Sequence, residues 1–387
     1  MINVQDKQNC CGCSACVQRC PKQCISLHED EEGFLYPEVD LDVCIDCGLC
    51  EKVCPVLHQA EERVPLEVFA AKNPNEQIRM ESSSGGVFTQ LAELTIEVGG
   101  VVFGVKWNEH FEAVHAYTET KEGLSAFRGS KYVQSRVGET FKQAEIFLKQ
   151  GRQVLYTGTP CQISGLKKFL RKEYENLLTV DIVCHAVPSP LVWRQYIEEY
   201  KIANDAVKIN SINFRDKTFG WRNYHVSMSF VNTHNRSITK KQPHDDDIYF
   251  KGFLNHLYVR PSCFSCCAKH GCSGSDMLIG DCWGIDSLRE GYNDNKGCSI
   301  VCVNSAKGLK TAEVILDRTE VLAYEDVLKH NPSIAIPVKD FFMPKRFWSE
   351  DGTISRKVEK ISGDPFSLKL KKKIWNLLVK KVRYYNE

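Results

Sequence analysis

The sequence predicts a mixed α/β protein in two unequal parts, a small cysteine-rich N-terminal domain and a larger α/β domain. Three observations carry that reading. Of 19 cysteines, ten fall in the first 54 residues, and eight of them stand in two copies of one spacing. The other nine are scattered between Cys161 and Cys302, after a gap of more than a hundred residues. From Glu67 onward, apolar runs of strand length alternate with stretches of helical spacing, the pattern of a layered α/β domain. The expected division is 1–60 for the cysteine-rich domain, 66–330 for the α/β domain (66–150 and 151–330 as its two parts) and 331–387 for a C-terminal extension. The polar stretch HQAEERVP, 58–65, joins the first two.

Composition narrows the function classes. A chain of 387 residues can bury a large core, and its formal net charge of +1 gives no reason to expect nucleic acid as a partner. An odd cysteine count and a first stretch, MINVQDKQN, without the apolar segment of a secretory signal argue for a reducing compartment. The cysteines are then expected to hold metal rather than pair with one another. No run approaches the roughly 20 apolar residues of a membrane span, so a soluble, cytoplasmic protein is expected.

The N-terminal cysteines demand a specific chemistry. CCGCSACVQRCP contains C-x2-C-x2-C-x3-C-P through Cys10, Cys13, Cys16 and Cys20, and CIDCGLCEKVCP repeats it through Cys44, Cys47, Cys50 and Cys54. Three thiolates on one tight loop take three corners of an iron-sulfur cube, while the fourth reaches the neighbouring cube. Crossed ligation follows, with Cys10, Cys13, Cys16 and Cys54 on one [4Fe-4S] cluster and Cys44, Cys47, Cys50 and Cys20 on the other. Gly12 and Gly48 relieve crowding where backbone wraps the inorganic core. Two structural zinc sites are the bland alternative, but two full copies with both prolines closely resemble the bacterial two-cluster ferredoxins. Cys11 and Cys24 fall outside the spacing and read as packing thiols.

In the larger domain, VFAAKN reads as a strand and GGVFTQLAELTIEVGG as a helix. VVFGVKW and AVHAYTE follow as strands, GETFKQAEIFLKQG as a helix, and QVLYTG as a strand. LLTVDIVCH and PLVWRQYIEEYK are the next strand and helix, and INSINFRDK with HVSMSFV reads as a hairpin insert. The loop ESSSGGVF offers hydroxyls at Ser82, Ser83 and Ser84 and bare amides at Gly85 and Gly86 where a helix begins, a setting in which anions settle. An ordinary serine cap explains it equally well. It is not a GxGxxG fingerprint, so a nicotinamide site is unsupported. FRGSKYVQS gathers Arg128, Ser130, Lys131, Tyr132 and Gln134, a set that more often marks a solvated loop than a ligand site.

Cys161 sits in the first turn of a helix after Thr159, a suitable N-cap, and Pro160, suited to the first helical position. That setting favours a thiolate. A nucleophile with His185 as base, a ligand, or an inert buried thiol are the open readings. Cys161, Cys184, Cys263 and Cys266 supply the four thiolates of a third cluster from three loops. A zinc knuckle of Cys263, Cys266, Cys267 and Cys272 competes with it.

ESSSGGVFTQLAE, RGSKYVQS, LYTGTPCQISGLK, VDIVCHAVPSP, INFRDKTFGW, RPSCFSC and DMLIGDCWGID together resemble the family of coenzyme F420 hydrogenase/dehydrogenase beta subunits from about residue 66 to 310. The resemblance implies a bacterial-type two-cluster ferredoxin domain followed by a larger mixed α/β flavin-binding domain. It implies FAD and a third [4Fe-4S] cluster on Cys161, Cys184, Cys263 and Cys266. Ser82, Ser83, Ser84, Gly85 and Gly86 become a flavin-phosphate loop, Lys131 and Tyr132 flavin neighbours with catalytic roles, and Asp276, Gly280 and Gly284 backbone contacts. Trp221 becomes a wall of the substrate crevice.

The implied function is an iron-sulfur flavoprotein oxidoreductase. Single electrons pass between clusters and flavin, and hydride is exchanged with an F420-like deazaflavin or another small carrier. Ferredoxin or another redox protein is the expected partner. A non-catalytic electron-transfer subunit and a zinc-stabilised binding protein are the rivals. Two features stay outside this scheme. SLKLKKKIWNLLVKKVRYY, 367–385, reads as a basic amphipathic helix that docks on its own domain or rests on an anionic membrane surface. Asp245, Asp246 and Asp247 read as a solvated loop rather than a cation site, and His225, His244 and His256 are assigned no role.

Overall fold

Cysteine loops that wrap inorganic cores leave little chain for regular structure, and the N-terminal segment is built accordingly. A computed structural model describes residues 1–315, 320–339 and 343–363; the basic segment 367–385 lies outside them. Strands β1 (Ile25–Glu29) and β2 (Leu35–Val39) form an antiparallel hairpin with Ile25 opposite Val39. Each cysteine triplet ends in a short helix, Ala15–Arg19 and Leu49–Lys52. Gly12 and Gly48 both adopt left-handed backbone, with φ of 70° and 67°, which tight wrapping requires and glycine tolerates.

The alternating segments that follow build one eight-stranded sheet. Its strands are β3 (Glu67–Ala71), β4 (Val101–Trp107), β5 (Ala113–Thr118), β6 (Val154–Gly158), β7 (Leu177–Ile182), β11 (Met277–Asp281), β12 (Ser299–Val303) and β13 (Glu320–Val321). Between β7 and β11 an insert carries β8 (Ala206–Asp216), β9 (His225–Asn232) and β10 (Ser237–Pro243), which pair in order as a separate antiparallel sheet. The large sheet runs β13-β3-β12-β11-β7-β6-β4-β5. Its four central strands β11, β7, β6 and β4 are parallel, and the flanking pairs are antiparallel. Every residue of β6 is buried, as expected of a parallel strand covered on both faces.

Within the described residues the strands and helices read from the sequence are present, with ends displaced by a few residues. β7 ends at Ile182, two residues before Cys184, which lies in the loop beyond the strand. Helix Pro160–Leu170 starts as expected, with Thr159 as N-cap and the Thr159 amide donating to Gln162 Oε1 at 3.0 Å. Asp247 departs from the solvated-loop reading. It is buried, accepts from the Phe250 amide at the start of helix Ile248–Leu254, and also accepts from Tyr196 and Gln242. Helices Met343–Ser349 and Ile354–Ser362 place Phe347, Ile354, Val358 and Ile361 in the same apolar core as Trp193, Phe214 and Tyr249.

The N-terminal segment packs directly on the helices beside β6. Gln18 accepts from the Phe141 amide at 3.0 Å, covering an open donor at the start of helix Thr140–Lys149. Gly165 meets Cys13 so closely that an added Cβ would lie 2.7 Å from the Cys13 Cβ and 2.9 Å from its sulfur. Gly165→Ala should therefore push the two parts of the chain apart at Cys13. The expected cost is about 1–3 kcal/mol, typical of overpacking, with partial loss of N-terminal iron. Thermal melting and iron content per chain measure both, and a variant with unaltered melting and iron would refute this contact.

Candidate functional site

Helices and strands bring the twelve cysteines named from the sequence into three groups. Cys16 neighbours Cys10 and Cys54 across the two repeats, and Cys13 neighbours Cys10 and Cys16. Burial pushes the Cys16 thiol up to about 12, with Cys10 and Cys54 adding to it, and burial likewise raises Cys54 beside Cys10. Cys20, Cys44, Cys47 and Cys50 surround a second small cavity. Cys24 lies there too, its sulfur 3.4 Å from that of Cys20, and the Ile2 amide donates to the Cys50 sulfur at 3.2 Å. Cys47 is exposed. Cys50 also neighbours Cys16 and Cys54, so the two groups adjoin.

A third group meets at the seam between the N-terminal segment and the sheet. Cys161, Cys184, Cys263 and Cys266 line one cavity, together with Cys11 and Cys267. The Cys161 thiol is pushed well up, first by its contact with the Cys11 thiol and then by burial; burial pushes Cys184 up to about 12. The helix start thus does not make Cys161 a thiolate here, because burial among thiols outweighs it. Thiols such as these bind a metal only by giving up their protons. Cys11, read as packing, completes no recognised spacing, and Cys267 was named only for the competing zinc knuckle; both line this cavity. Cys272 does not line this cavity, so the zinc-knuckle set is not assembled. Among the described residues no three His, Cys, Asp or Glu side chains converge on a point suited to a single metal ion.

Beside this cavity lies a far larger one, of about 480 Å³, within the range of cofactor and ligand sites. It opens at the carboxyl ends of the parallel strands, where Thr157 and Gly158 end β6, Val183 follows β7, and Gly280 and Asp281 end β11. Its walls include Ser82, Ser83, Ser84, Gly86, Lys131, Tyr132 and Gly280. Asp276 is not there. It sits at the other end of β11, accepting from Thr179 and Ser305. Gly284, with φ of 77°, packs against the His330 ring instead. Trp221 is fully buried behind the wall, stacked 4.8 Å from Trp283, which does line the cavity.

The serine loop is held tightly, in a way its sequence does not reveal. Ser84 donates to the Gly280 and Cys298 carbonyls, and Ser82 to that of Ile78. The Gly85 amide donates to Ser299 Oγ at 2.9 Å, so it is not bare. Gly85 is required because a Cβ there would lie 2.4 Å from the Ala71 carbonyl oxygen. Lys217 fastens the loop from behind by donating to the carbonyls of Arg79, Ser84 and Lys296. What remains toward the cavity is Gly86 and Val87 at the start of helix Val87–Glu97, the Ser83 hydroxyl, and the Arg128–Tyr132 loop.

Two further polar groups face the cavity. Arg215 is buried and makes a bidentate ion pair with Asp281, at 2.6 and 2.9 Å, yet its Nε has no hydrogen-bond partner. His185 Nε2 lies 2.7 Å from His256 Nε2, and burial depresses the His185 pKa to about 3, keeping the ring neutral. His256 thus has a partner at the cavity wall. Neither arginine nor histidine pair announces itself by spacing, since each joins residues at least 66 positions apart. The stretch from Cys184 to Val187 lines both the thiol cavity and the large cavity. No helix among the described residues is long and apolar enough to cross a membrane.

Residues 9–57 match the 4Fe-4S dicluster domain. Residues 68–142 match the N-terminal part, and 151–326 the C-terminal part, of the coenzyme F420 hydrogenase/dehydrogenase beta subunit. One subunit of the F(420)H(2) dehydrogenase of Methanosarcina mazei is 26% identical over 188 residues, covering 45% of this chain and 53% of that protein. The coenzyme F420-dependent sulfite reductase of Methanocaldococcus jannaschii is 28% identical over 172 residues, 43% of this chain and 26% of that one. A 7Fe ferredoxin of Hydrogenibacillus schlegelii is 54% identical over 43 residues, 11% of this chain and 49% of that one. The matches thus span about half, or less, of these relatives. A chain of the F420-reducing [NiFe] hydrogenase complex from Methanosarcina barkeri, solved with xenon, is similar at a TM-score of 0.43 and 16% identity, over 78% of this chain and 91% of that one.

Burial lowers Lys131 from 10.5 to about 7 while its Nζ donates only to the Ala126 and Arg128 carbonyls. Holding this ammonium in the cofactor-free protein opposes folding fully below about pH 7. The penalty fades as pH rises from there toward 10.5, where the unfolded side chain also becomes neutral. Lys131→Met should accordingly be more stable than wild type at pH 7, and the gap should close toward pH 10. Denaturant midpoints across that range measure it; a gap independent of pH would contradict a buried, uncompensated Lys131.

Proposed function

We propose, from the premise that the chain belongs to the family of coenzyme F420 hydrogenase/dehydrogenase beta subunits, that it is an iron-sulfur flavoprotein oxidoreductase. In this reading three [4Fe-4S] clusters lie in series with one FAD. The observation that carries it is the shared wall from Cys184 to Val187, which separates a cavity of converging thiols from a cavity of cofactor size. The order along the chain of sites is then outer cluster (Cys20, Cys44, Cys47, Cys50), inner cluster (Cys10, Cys13, Cys16, Cys54), third cluster (Cys161, Cys184, Cys263, Cys266) and large cavity. Cys54 and Cys267 are neighbours across the seam, and so are Cys11 and Cys161. These contacts support the link between the second and third sites.

The residues fit an anionic, flat, aromatic cofactor. Gly86 and Val87 at the helix start, the Ser83 hydroxyl, Arg128 and Lys131 suit its phosphates. The orphaned Arg215 Nε is a buried donor that lacks an acceptor, and a cofactor carbonyl or ring nitrogen would satisfy it. A bound flavin would supply the exchange between two-electron hydride chemistry and one-electron carriers. Around it, Lys131 holds positive charge against an anion and Tyr132 packs edge-on against Phe250 at 4.8 Å, closing the wall. His185, held neutral by burial, with its ring nitrogens facing Ser333 and His256, forms a fixed part of the cavity wall. The organic partner is a deazaflavin such as F420 or another small hydride carrier, and the electron partner a ferredoxin or another redox protein. Asp276 and Gly284 have no part in the site.

One observation favours the rival reading, an electron-transfer subunit with no substrate of its own. A relative similar over 188 residues is named as one subunit of a dehydrogenase. Anaerobically purified protein should hold about twelve irons, as three four-iron clusters, and about one flavin per chain. Cys184→Ser should remove about four irons and leave the N-terminal clusters, whereas Cys272→Ser should remove none. A flavin-free, zinc-loaded chain would end the proposal. Turnover of deazaflavin or nicotinamide carriers by the isolated chain with reduced ferredoxin separates the two readings. Clusters that reduce and reoxidise without any turnover select the subunit.

A further inference from the structure

Arg260 is fully buried at the seam, yet none of its contacts among the described residues is a carboxylate. Its Nε donates to the Cys10 carbonyl at 2.8 Å, Nη1 to Gln134 Oε1 at 3.0 Å and Nη2 to the Leu35 carbonyl at 2.9 Å. Nη2 also lies 3.6 Å from the Cys10 sulfur. The guanidinium packs over the rings of Tyr36 and Phe34, at 4.4 and 5.3 Å. Gly12 is fitted beneath it, since a Cβ there would come within 2.9 Å of Nη1.

The group thus spans both parts of the chain. It leaves the polypeptide three residues before Cys263, borders the thiol cavity and ends on Cys10. Two arguments bear on its purpose. A buried charge requires a counter-charge, and here every neutral partner is a carbonyl, an amide or a ring. Thiolate-held iron-sulfur cubes are anionic, and charges and hydrogen bonds at their sulfurs set how readily they take an electron. Burial opposes the charge on Arg260 most strongly, and the neighbours that favour it are led by Cys10.

We infer that Arg260 is a positioning residue whose counter-ion is the iron-sulfur cluster on Cys10, Cys13, Cys16 and Cys54, and that its fixed charge raises the reduction potential of that cluster above the outer one. This rests on the cluster assignment above. A cluster gaining one electron gains one negative charge, and the guanidinium next to Cys10 stabilises that form more than the oxidised one. The outer cluster, on Cys20, Cys44, Cys47 and Cys50, has an exposed ligand in Cys47 and no such cation among its lining residues except Lys22 and the N-terminal Met1. Electrons entering from outside would accordingly settle on the inner cluster.

Full-length protein, purified without oxygen, tests this by potentiometric titration followed by paramagnetic resonance, with no turnover involved. Arg260→Met should shift one cluster toward harder reduction by at least tenfold in its equilibrium constant, about 59 mV for a one-electron couple. The outer cluster should stay in place. Arg260→Lys, which keeps charge but loses the planar fork, should fall between Met and wild type. Iron loss in the Met variant but not in the Lys variant also supports the inference, since it shows the charge holding the cluster. Unchanged potentials in Arg260→Met, an equal shift of the outer cluster, or equal iron loss from both variants would overturn it. A wild-type chain without N-terminal iron instead fails the parent assignment before any variant is compared.

Discussion

Thiols gathered out of water are unstable company. Each prefers its proton, none can donate to an acceptor good enough to justify burial, and together they repel as soon as they ionise. The third group in this chain, contributed by the first turn of one helix, the loop after β7 and the segment that begins at Arg260, concentrates that problem at one place. Everything around it is arranged to keep the sulfurs there. Thr159 and Gln162 lock the helix start that bears Cys161, and Lys269 donates to the carbonyl of Cys184 and to that of Ser333, fastening two loops. Such an arrangement is understandable if a metal cluster takes the place of the protons.

The sheet explains why the thiol cavity and the large cavity adjoin. Parallel strands deliver their loops to one end, so the segments after β6 and β7 must lie side by side. One loop supplies Thr159 and Cys161, the next Cys184 and His185. Residues on the near side of these loops face the cofactor-sized space, and residues on the far side face the N-terminal segment. Proximity between electron carrier and organic chemistry is thus a product of strand order, with no dedicated linker. The insert between β7 and β11 adds the remaining wall through Arg215, Tyr224 and Phe250.

The seam is rigid where electrons would cross it. Gln18 caps a helix of the large domain, Gly165 admits Cys13 to direct contact, and Arg260 reaches from one part into the other. Flexible tethering of a ferredoxin-like domain would let its distance to the next site vary, and here three unlike contacts suppress that freedom. Carbonyls take N–H donors of Arg260 and Lys217, and Asp281 pairs with Arg215.

Local chemistry determined much of this protein directly from its residues. The repeated C-x2-C-x2-C-x3-C-P spacing implies crossed thiolate sets, and strand and helix order follows from apolar periodicity. Cys161, Cys184, Cys263 and Cys266 do line one cavity; their number suggested a set and the family resemblance supported it, but no spacing connects three separate loops. Cys11, read as a packing thiol, lines the same cavity, as does Cys267, and Gly85 proved to be a packing glycine whose amide is already spent on Ser299. Asp276 stands at the wrong end of its strand, and direction along β11 is invisible without knowing which strands are parallel. The same reason hides Arg215 with Asp281, His185 with His256 and Arg260 with Cys10. Their meaning lies in distance through space between residues far apart in the chain, and only the folded sheet sets that distance.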